Sequence, residues 1–159
     1  MLTWIGNIIE DARHICNFVQ NHTNSLTIYK EYTHLSLLKI ADTRFALSFI
    51  MLNRFREVKP LLRSMVISEY WYFWIKTDQS ASKKMKDIVL DDVWWKRVDL
   101  TIKIMDPLIS LLRFANTDQS IPKDVFEGLD FMIESMRTIV MENECPEYET
   151  STKNLWSTI

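Results

Sequence analysis

Apolar side chains recur every three or four positions along most of the chain, which is the spacing of an amphipathic α-helix. The first such run predicts a helix over residues 2–20, followed by a polar break at 21–25 and a short helix over 26–32. Residues Leu35–Ile40 have the length and apolar character of a β-strand. Because a single strand cannot form a stable sheet, this segment either packs on helices as an extended chain or pairs with strands outside the sequence.

Helical spacing resumes after the predicted strand. It predicts a helix over 44–58, and Pro60 predicts a kink or a restart in the continuation of that helix. The aromatic run in 67–76 predicts a helix that is apolar almost all round and buried between layers. The polar stretch 77–82 is the best candidate for an internal linker.

Two longer helices are predicted in the C-terminal half. Asp91–Asp92 supplies an acidic first turn for a helix that runs to about Phe114, and Pro107 should bend it. Pro122 opens the last helix in the favoured first position, and a wide apolar face follows it. The polar tail 146–159 is expected to be flexible. The predicted fold class is therefore mainly α, with one short strand.

Composition supports a folded helical chain. The sequence has 159 residues, of which 47% are hydrophobic, and only two glycines and four prolines. Its net charge of −2 gives no global attraction to nucleic acid, so any such contact must be local. Cys16 and Cys145 have no CxxC spacing, which favours reduced, structural thiols in an intracellular protein. The six tryptophans either pack a core or form a docking face.

Catalytic and metal-binding patterns are sparse. The three histidines have no ligand-like spacing, and there is no GxSxG, P-loop or GxGxxG pattern. Asp91–Asp92 suits either a helix cap or metal ligation, and the cap is the better explanation. Asp42 follows the predicted strand, where catalytic carboxylates are common, but a two-metal site needs further carboxylates that are not found beside it. A helix cap is therefore preferred for Asp42 as well.

Basic and aromatic side chains alternate between residues 44 and 63. Arg56, Lys59 and Arg63 would line one stripe if the helix continues through Pro60. Phosphate contacts beside a stacking aromatic suit DNA, and a solvated helix face is the alternative. The members of this cluster are Arg44, Phe45, Arg54, Phe55, Arg56, Lys59 and Arg63.

The sequence DTRFALSFIMLNRFRE at 42–57 resembles the hAT superfamily of transposases in its plant form. Those proteins carry a Thr-Arg-Phe or Thr-Arg-Trp motif at the end of a ribonuclease-H-like strand, followed by a helix. Further segments are similar and occur in the same order, so that the resemblance covers about 2–145. These segments are 4–22, RSMVISE at 63–69, IVLDDVWW at 88–95 and DPLISLLR at 106–113.

The resemblance implies a partial unit. Residues 1–45 would be a partial ribonuclease-H-like segment, with Leu35–Ile40 as a remnant edge strand of the sheet, and 46–145 would begin the helical insertion. The family cuts and joins DNA with a metal-binding Asp, Asp, Glu triad. By resemblance, those positions belong before Met1 and after Ile159, and Asp42 matches none of them. We therefore expect no catalysis and no cofactor from this chain; only a complete family member would bind divalent metal.

The resemblance also implies where nucleic acid would bind. In some members of the family, the aromatic residue of the Thr-Arg-Phe or Thr-Arg-Trp motif is implied to stack on an unpaired base. Phe45 occupies that position here, and it lacks the indole N–H donor of a tryptophan. The expected partners are DNA, a second copy of the chain or another transposase-like chain, and no membrane is expected as a partner. The expected location is the nucleus, or otherwise the cytoplasm. The alternative function is a helical protein-interaction module that uses Trp-rich faces. The expected nucleic-acid-binding residues are Thr43, Arg44, Phe45, Arg54, Arg56 and Lys59.

Overall fold

The computed structural model describes residues 3–38, 45–75, 79–116 and 122–143. Within these ranges the chain is helical with short connections, which confirms the mainly α fold class. The helices are α1 (Thr3–Asn21), α2 (Thr23–Tyr32), α3 (Phe45–Val66), α4 (Glu69–Ile75), α5 (Gln79–Leu90), α6 (Asp92–Ala115) and α7 (Pro122–Glu142). None of the helices in the described ranges is both long and apolar enough to span a bilayer.

The helices belong to two compact units. The first takes in Thr3–Leu100, and the second the described residues from Thr101 onward. In the first unit α3 is the central helix, because it contacts α1, α2, α4 and α5. The division expected from the resemblance, after residue 45, stays a prediction.

The core of the first unit is built on one face of α3. Phe55, Val58 and Leu62 lie within two turns of one another on that face and are completely buried. Each such side chain contributes about 1.5–3 kcal/mol by leaving water. Their α3 neighbours in the core are Met51, Leu52, Met65 and Val66, and α1 contributes Ile8, Ala12, Ile15, Cys16 and Val19.

Aromatic rings join α3 to its neighbours. The ring of Phe55 meets that of Trp94 edge-on, with centroids 6.3 Å apart, and Trp94 meets Trp95 at 4.8 Å and 85°. On the other side of the unit Phe18 packs against Trp71 at 5.9 Å. All three of these tryptophans are buried. They are therefore core residues and do not form an exposed Trp-rich face.

The predicted strand Leu35–Ile40 is not seen. Residues 35–38 have neither helical nor strand structure, and residues 39 and 40 lie outside the described ranges. Side chains of the helices occupy the carbonyl groups that a neighbouring strand would use. Tyr29 donates its hydroxyl to the Leu35 oxygen at 2.7 Å, Gln20 donates to Leu37 at 2.7 Å, and the Cys16 thiol donates to Leu38 at 3.5 Å. This segment thus packs on helices, one of the two alternatives left open by the sequence.

At two further places the structure differs from an expectation: it excludes the restart at Pro60, one of the two alternatives given for that residue, and it contradicts the predicted linker. Pro60 does not restart the helix, since α3 is one element and buried residues on both sides of the proline hold it against the core. The linker predicted at 77–82 is helical from Gln79, and Ser82 is completely buried. The polar composition of this stretch suggested a linker, although Ser82 faces the core.

The aromatic run predicted to be buried is buried on one side only. In α4, Trp71 is inaccessible to solvent, whereas Tyr70, Tyr72 and Phe73 are each more than 60% exposed. A seven-residue helix at the surface of the unit can turn only one stripe inward. Among the described side chains of α4, the exposed aromatic ones are therefore tyrosine and phenylalanine.

The second unit contains the rest of α6 and all of α7. Pro122 begins α7, as predicted from its position. A Cβ atom added at Gly128 would lie 2.8 Å from the Leu111 Cδ1 atom, so the glycine allows a close approach of α7 to α6. The expected tail 146–159 lies outside the described residues.

The buried face of α3 predicts a large cost for truncating its central ring. We expect Phe55→Ala to lower the free energy of unfolding by about 3–5 kcal/mol, because it removes the contacts of a fully buried phenylalanine and leaves a cavity. Urea unfolding followed by circular dichroism measures this. The exposed Tyr70 provides the control, and Tyr70→Ala should change stability by less than about 0.5 kcal/mol. Equal effects of the two substitutions would contradict the assigned core.

Candidate nucleic-acid interface

The structure describes the side chains of three of the six expected nucleic-acid-binding residues, namely Arg54, Arg56 and Lys59. Thr43 and Arg44 lie outside the described residues, and so does Asp42. Phe45 is the first residue of α3, and its side chain is outside the described part. The role of the Thr-Arg-Phe turn therefore stays a prediction.

The structure brings Arg56, Lys59 and Arg63 to one flank of α3. Because the helix continues through Pro60, their spacing of three and four residues places them one above the other beside the buried face. We call these three residues together with Lys96 the α3–α6 cation surface. Arg56 is exposed, and its Nη2 atom donates to the neutral amide oxygen of Asn53 at 3.0 Å.

Arg54 does not belong to this surface. Residues that are two positions apart in a helix are separated by about 200° around its axis, so Arg54 points to the opposite flank from Arg56. Its Nη1 atom lies 2.9 Å from the Glu57 carboxylate, and 29% of its side chain is exposed. Burial raises the pKa of Tyr29 to about 12, and Arg54 is near enough to oppose that rise. Arg54 thus lies on the α2 side of the core.

Trp95 positions Lys59. The ammonium nitrogen of Lys59 lies 5.0 Å from the centroid of the Trp95 ring, within cation–π range. The indole itself is buried, and it donates to the Val89 carbonyl at 2.8 Å. The ammonium group of Lys59 therefore lies over a buried ring at the edge of the core.

Arg63 and Asp92 connect α3 to the start of α6. The Arg63 Nη2 atom lies 2.5 Å from the carboxylate of Asp92, and the Asp92 side chain is 75% exposed. The hydrogen bond and the charge of Arg63 hold the pKa of Asp92 below its ordinary value of 3.8, and the charges of Lys59 and Lys96 act in the same direction. Arg63 is thus in direct contact with the carboxylate of Asp92, the charges of Lys59 and Lys96 act on it as well, and Arg56 lies one turn before Lys59 on the same flank.

Asp91 caps the helix that carries Asp92. The Val93 backbone N–H donates to the Asp91 Oδ1 atom at 2.7 Å, which is the bond of an N-terminal cap. This favours the cap over metal ligation for the acidic pair. Among the described residues, no group of three or more His, Cys, Asp or Glu side chains is arranged to hold a metal ion.

Lys96 is the member of the surface that sequence reasoning missed. It lies 33 positions beyond Arg63 in the chain, and no local pattern marks it as a partner of the α3 cations. Only the packing of Trp94 and Trp95 against α3 brings the start of α6 beside Arg63. The same helix borders a separate cleft of about 310 Å³ that contains none of the expected site residues. Its lining is Trp4, Asn7, Ile8, Asp11, Ile88, Asp91, Val93, Trp94 and Arg97.

Comparison with protein-family models, curated proteins and solved structures gives no match for this chain. The resemblance to hAT transposases therefore depends on the sequence segments alone. The α3–α6 cation surface is a separate observation, since it follows from distances and charges within the structure.

The ion pair between Arg63 and Asp92 predicts a pH-dependent contribution to stability. Because the folded-state pKa of Asp92 is below the unfolded value, the pair stabilises the fold above pH 3.8, and this contribution is lost as the pH falls through the folded-state pKa. We expect Asp92→Asn to be less stable than the parent at neutral pH, with the two urea midpoints converging in acid. Asp87→Asn, at an exposed position on α5, is the control for loss of a surface carboxylate. A difference that stays constant from neutral to acidic pH would contradict the pairing.

Proposed function

We propose that the chain is a non-catalytic, mainly helical piece of a hAT-like transposase that contacts the phosphates of nucleic acid through the α3–α6 cation surface. The observation that carries this proposal is the set of cations on one side of the unit: Arg63 contacts Asp92, Lys59 lies over the Trp95 ring, and Lys96 is exposed on the first turns of α6. Arg56 extends the surface by one turn and has a neutral partner. The proposed location, by resemblance, is the nucleus.

The chemistry of the surface suits a phosphate backbone better than base edges. Lys59 is held along Trp95 and Arg63 is held by Asp92, so both charges are positioned before a ligand arrives. Positioned cations contact phosphates without reading sequence. Because the whole chain has a net charge of −2, we expect the affinity to be weak. Because the contacts are to phosphates, we expect that affinity to fall as salt is added.

Within the proposal, the Thr-Arg-Phe turn adds the contact with an unpaired base. Arg44 would bind a phosphate, and Phe45 would stack on the base next to it. Arg54 is left out of the proposed contact, because it lies on the other flank of α3 and pairs with Glu57.

The phosphate contact predicts a change in salt dependence. The double variant Arg56→Gln, Lys96→Gln removes two exposed charges. For a short DNA duplex, the negative slope of log affinity against log salt should therefore become shallower by about two. Fluorescence anisotropy titrations at several salt concentrations measure it. Lys83→Gln with Lys84→Gln removes the same charge from exposed positions on α5 and should leave the slope nearly unchanged. If the slope changed equally in both double variants, binding would depend on the total charge of the chain and not on the proposed surface, and the proposal would be overturned.

We also propose that the chain does not cleave DNA. By resemblance, no residue of this chain matches a carboxylate position of the family's triad, and Asp42 in particular does not. A strand-cleavage assay with Mg²⁺ or Mn²⁺ should therefore detect no nicking above the background without protein. Metal-dependent nicking that disappears in Asp42→Ala would contradict this expectation.

A helical protein-interaction module is the second candidate, and one observation favours it. Ile67, Tyr70 and Phe73 are spaced by three residues around the start of α4, and each is at least 67% exposed. Exposed apolar side chains that lie close together are a feature of protein–protein interaction sites. Trp71, Trp94 and Trp95 are buried, so among the described side chains this candidate depends on isoleucine, tyrosine and phenylalanine. It would become the preferred function if the charge variants left DNA affinity unchanged.

A further inference from the structure

The helix α7 carries an apolar seam at heptad spacing. Phe126, Leu129, Ile133 and Met136 are separated by three, four and three residues, the a and d positions of a coiled coil. Phe126 is 71% and Leu129 is 41% exposed, and the other two are partly exposed. The seam is therefore accessible in the single chain.

The seam is distinct from the side of α7 that faces α6. The close approach to Leu111 occurs at Gly128, which is a c position when Phe126 is an a position. On a helix, c positions lie about 100° or more from the a and d stripe. Contact with α6 and exposure of the seam are consequently compatible within the second unit.

Charged residues beside the seam select its partner. The e positions are Asp130 and Arg137, one acidic and one basic, seven residues apart. In an antiparallel pair of identical helices, e positions face e positions across the interface. The register that packs Ile133 against Met136 of a second copy also sets Asp130 beside Arg137 of that copy, twice by symmetry. A register shifted by one heptad would instead place Asp130 beside its own equivalent, which is unfavourable.

We propose that α7 is a self-association element, in which two copies of the chain pair through antiparallel α7 helices with reciprocal contacts between Asp130 and Arg137. Arg137 already lies 3.8 Å from Glu134 of its own helix, with 48% of its side chain exposed. In the pair it bridges its own Glu134 and the Asp130 of the second copy. This proposal is independent of the nucleic-acid function, since it uses the second unit only.

Charge reversal tests the pairing without touching the buried core. Sedimentation over a concentration series should show a monomer–dimer equilibrium for the parent, with a Kd in about the micromolar range because the interface is small. Asp130→Arg alone and Arg137→Asp alone should each weaken dimerisation about tenfold or more, because each creates two like-charge contacts. The double variant should restore dimerisation to near the parent level.

Phe131 supplies the matched control. Its side chain is 75% exposed at an f position, on the side of α7 away from the seam, so Phe131→Ser should leave the dimer unchanged. Circular dichroism should show the parent helix content for every variant, since all changed positions are exposed. A monomer at every concentration would overturn the proposal. A dimer that survives both single reversals, or that the double variant fails to restore, would overturn it equally.

Discussion

Burial of one face of α3 is the constraint on which the first unit depends. The face that contains Phe55, Val58 and Leu62 is fully removed from water, and α3 contacts four other helices. Rotation of α3 about its axis would expose this face at a cost of many kilocalories per mole. The same constraint fixes the flanks of the helix, so Arg56 and Arg54 must point in nearly opposite directions. The position of the cations is thus a consequence of core packing.

The tryptophan pair of α6 transmits that constraint to the cation surface. Trp94 packs edge-on to Phe55, and Trp95 lies beneath the Lys59 ammonium group. Their indole nitrogens donate to Asp11 and to the Val89 carbonyl, which holds both rings in place. Because the rings are locked, the first turn of α6 carries its acidic residue to Arg63. The tryptophans therefore act through structure, and the chemistry at the surface belongs to lysine and arginine.

Periodicity predicted most of the helices, because amphipathic helices report their buried face in the sequence itself. The preference of proline for the first helical position predicted the start of α7 at Pro122, and the acidic pair Asp91–Asp92 predicted the start of α6. Sequence patterns failed where contacts with residues far apart in the chain determine the local structure. Residues 35–38 are apolar enough for a strand, but side chains from α1 and α2 bond their carbonyl groups. Ser82 looked like part of a linker, yet it is buried in a helix. Lys96 joins the cations only through tertiary packing, so no local pattern could have indicated it.

Backbone amide chemical shifts, followed while a short DNA duplex is added, test the central claim most directly. If the α3–α6 cation surface binds phosphates, the largest shifts should fall on residues 56–63 and on the first turns of α6, and they should shrink as salt is added. Shifts centred on the exposed lysines of α5, or spread evenly over the first unit, would contradict the account.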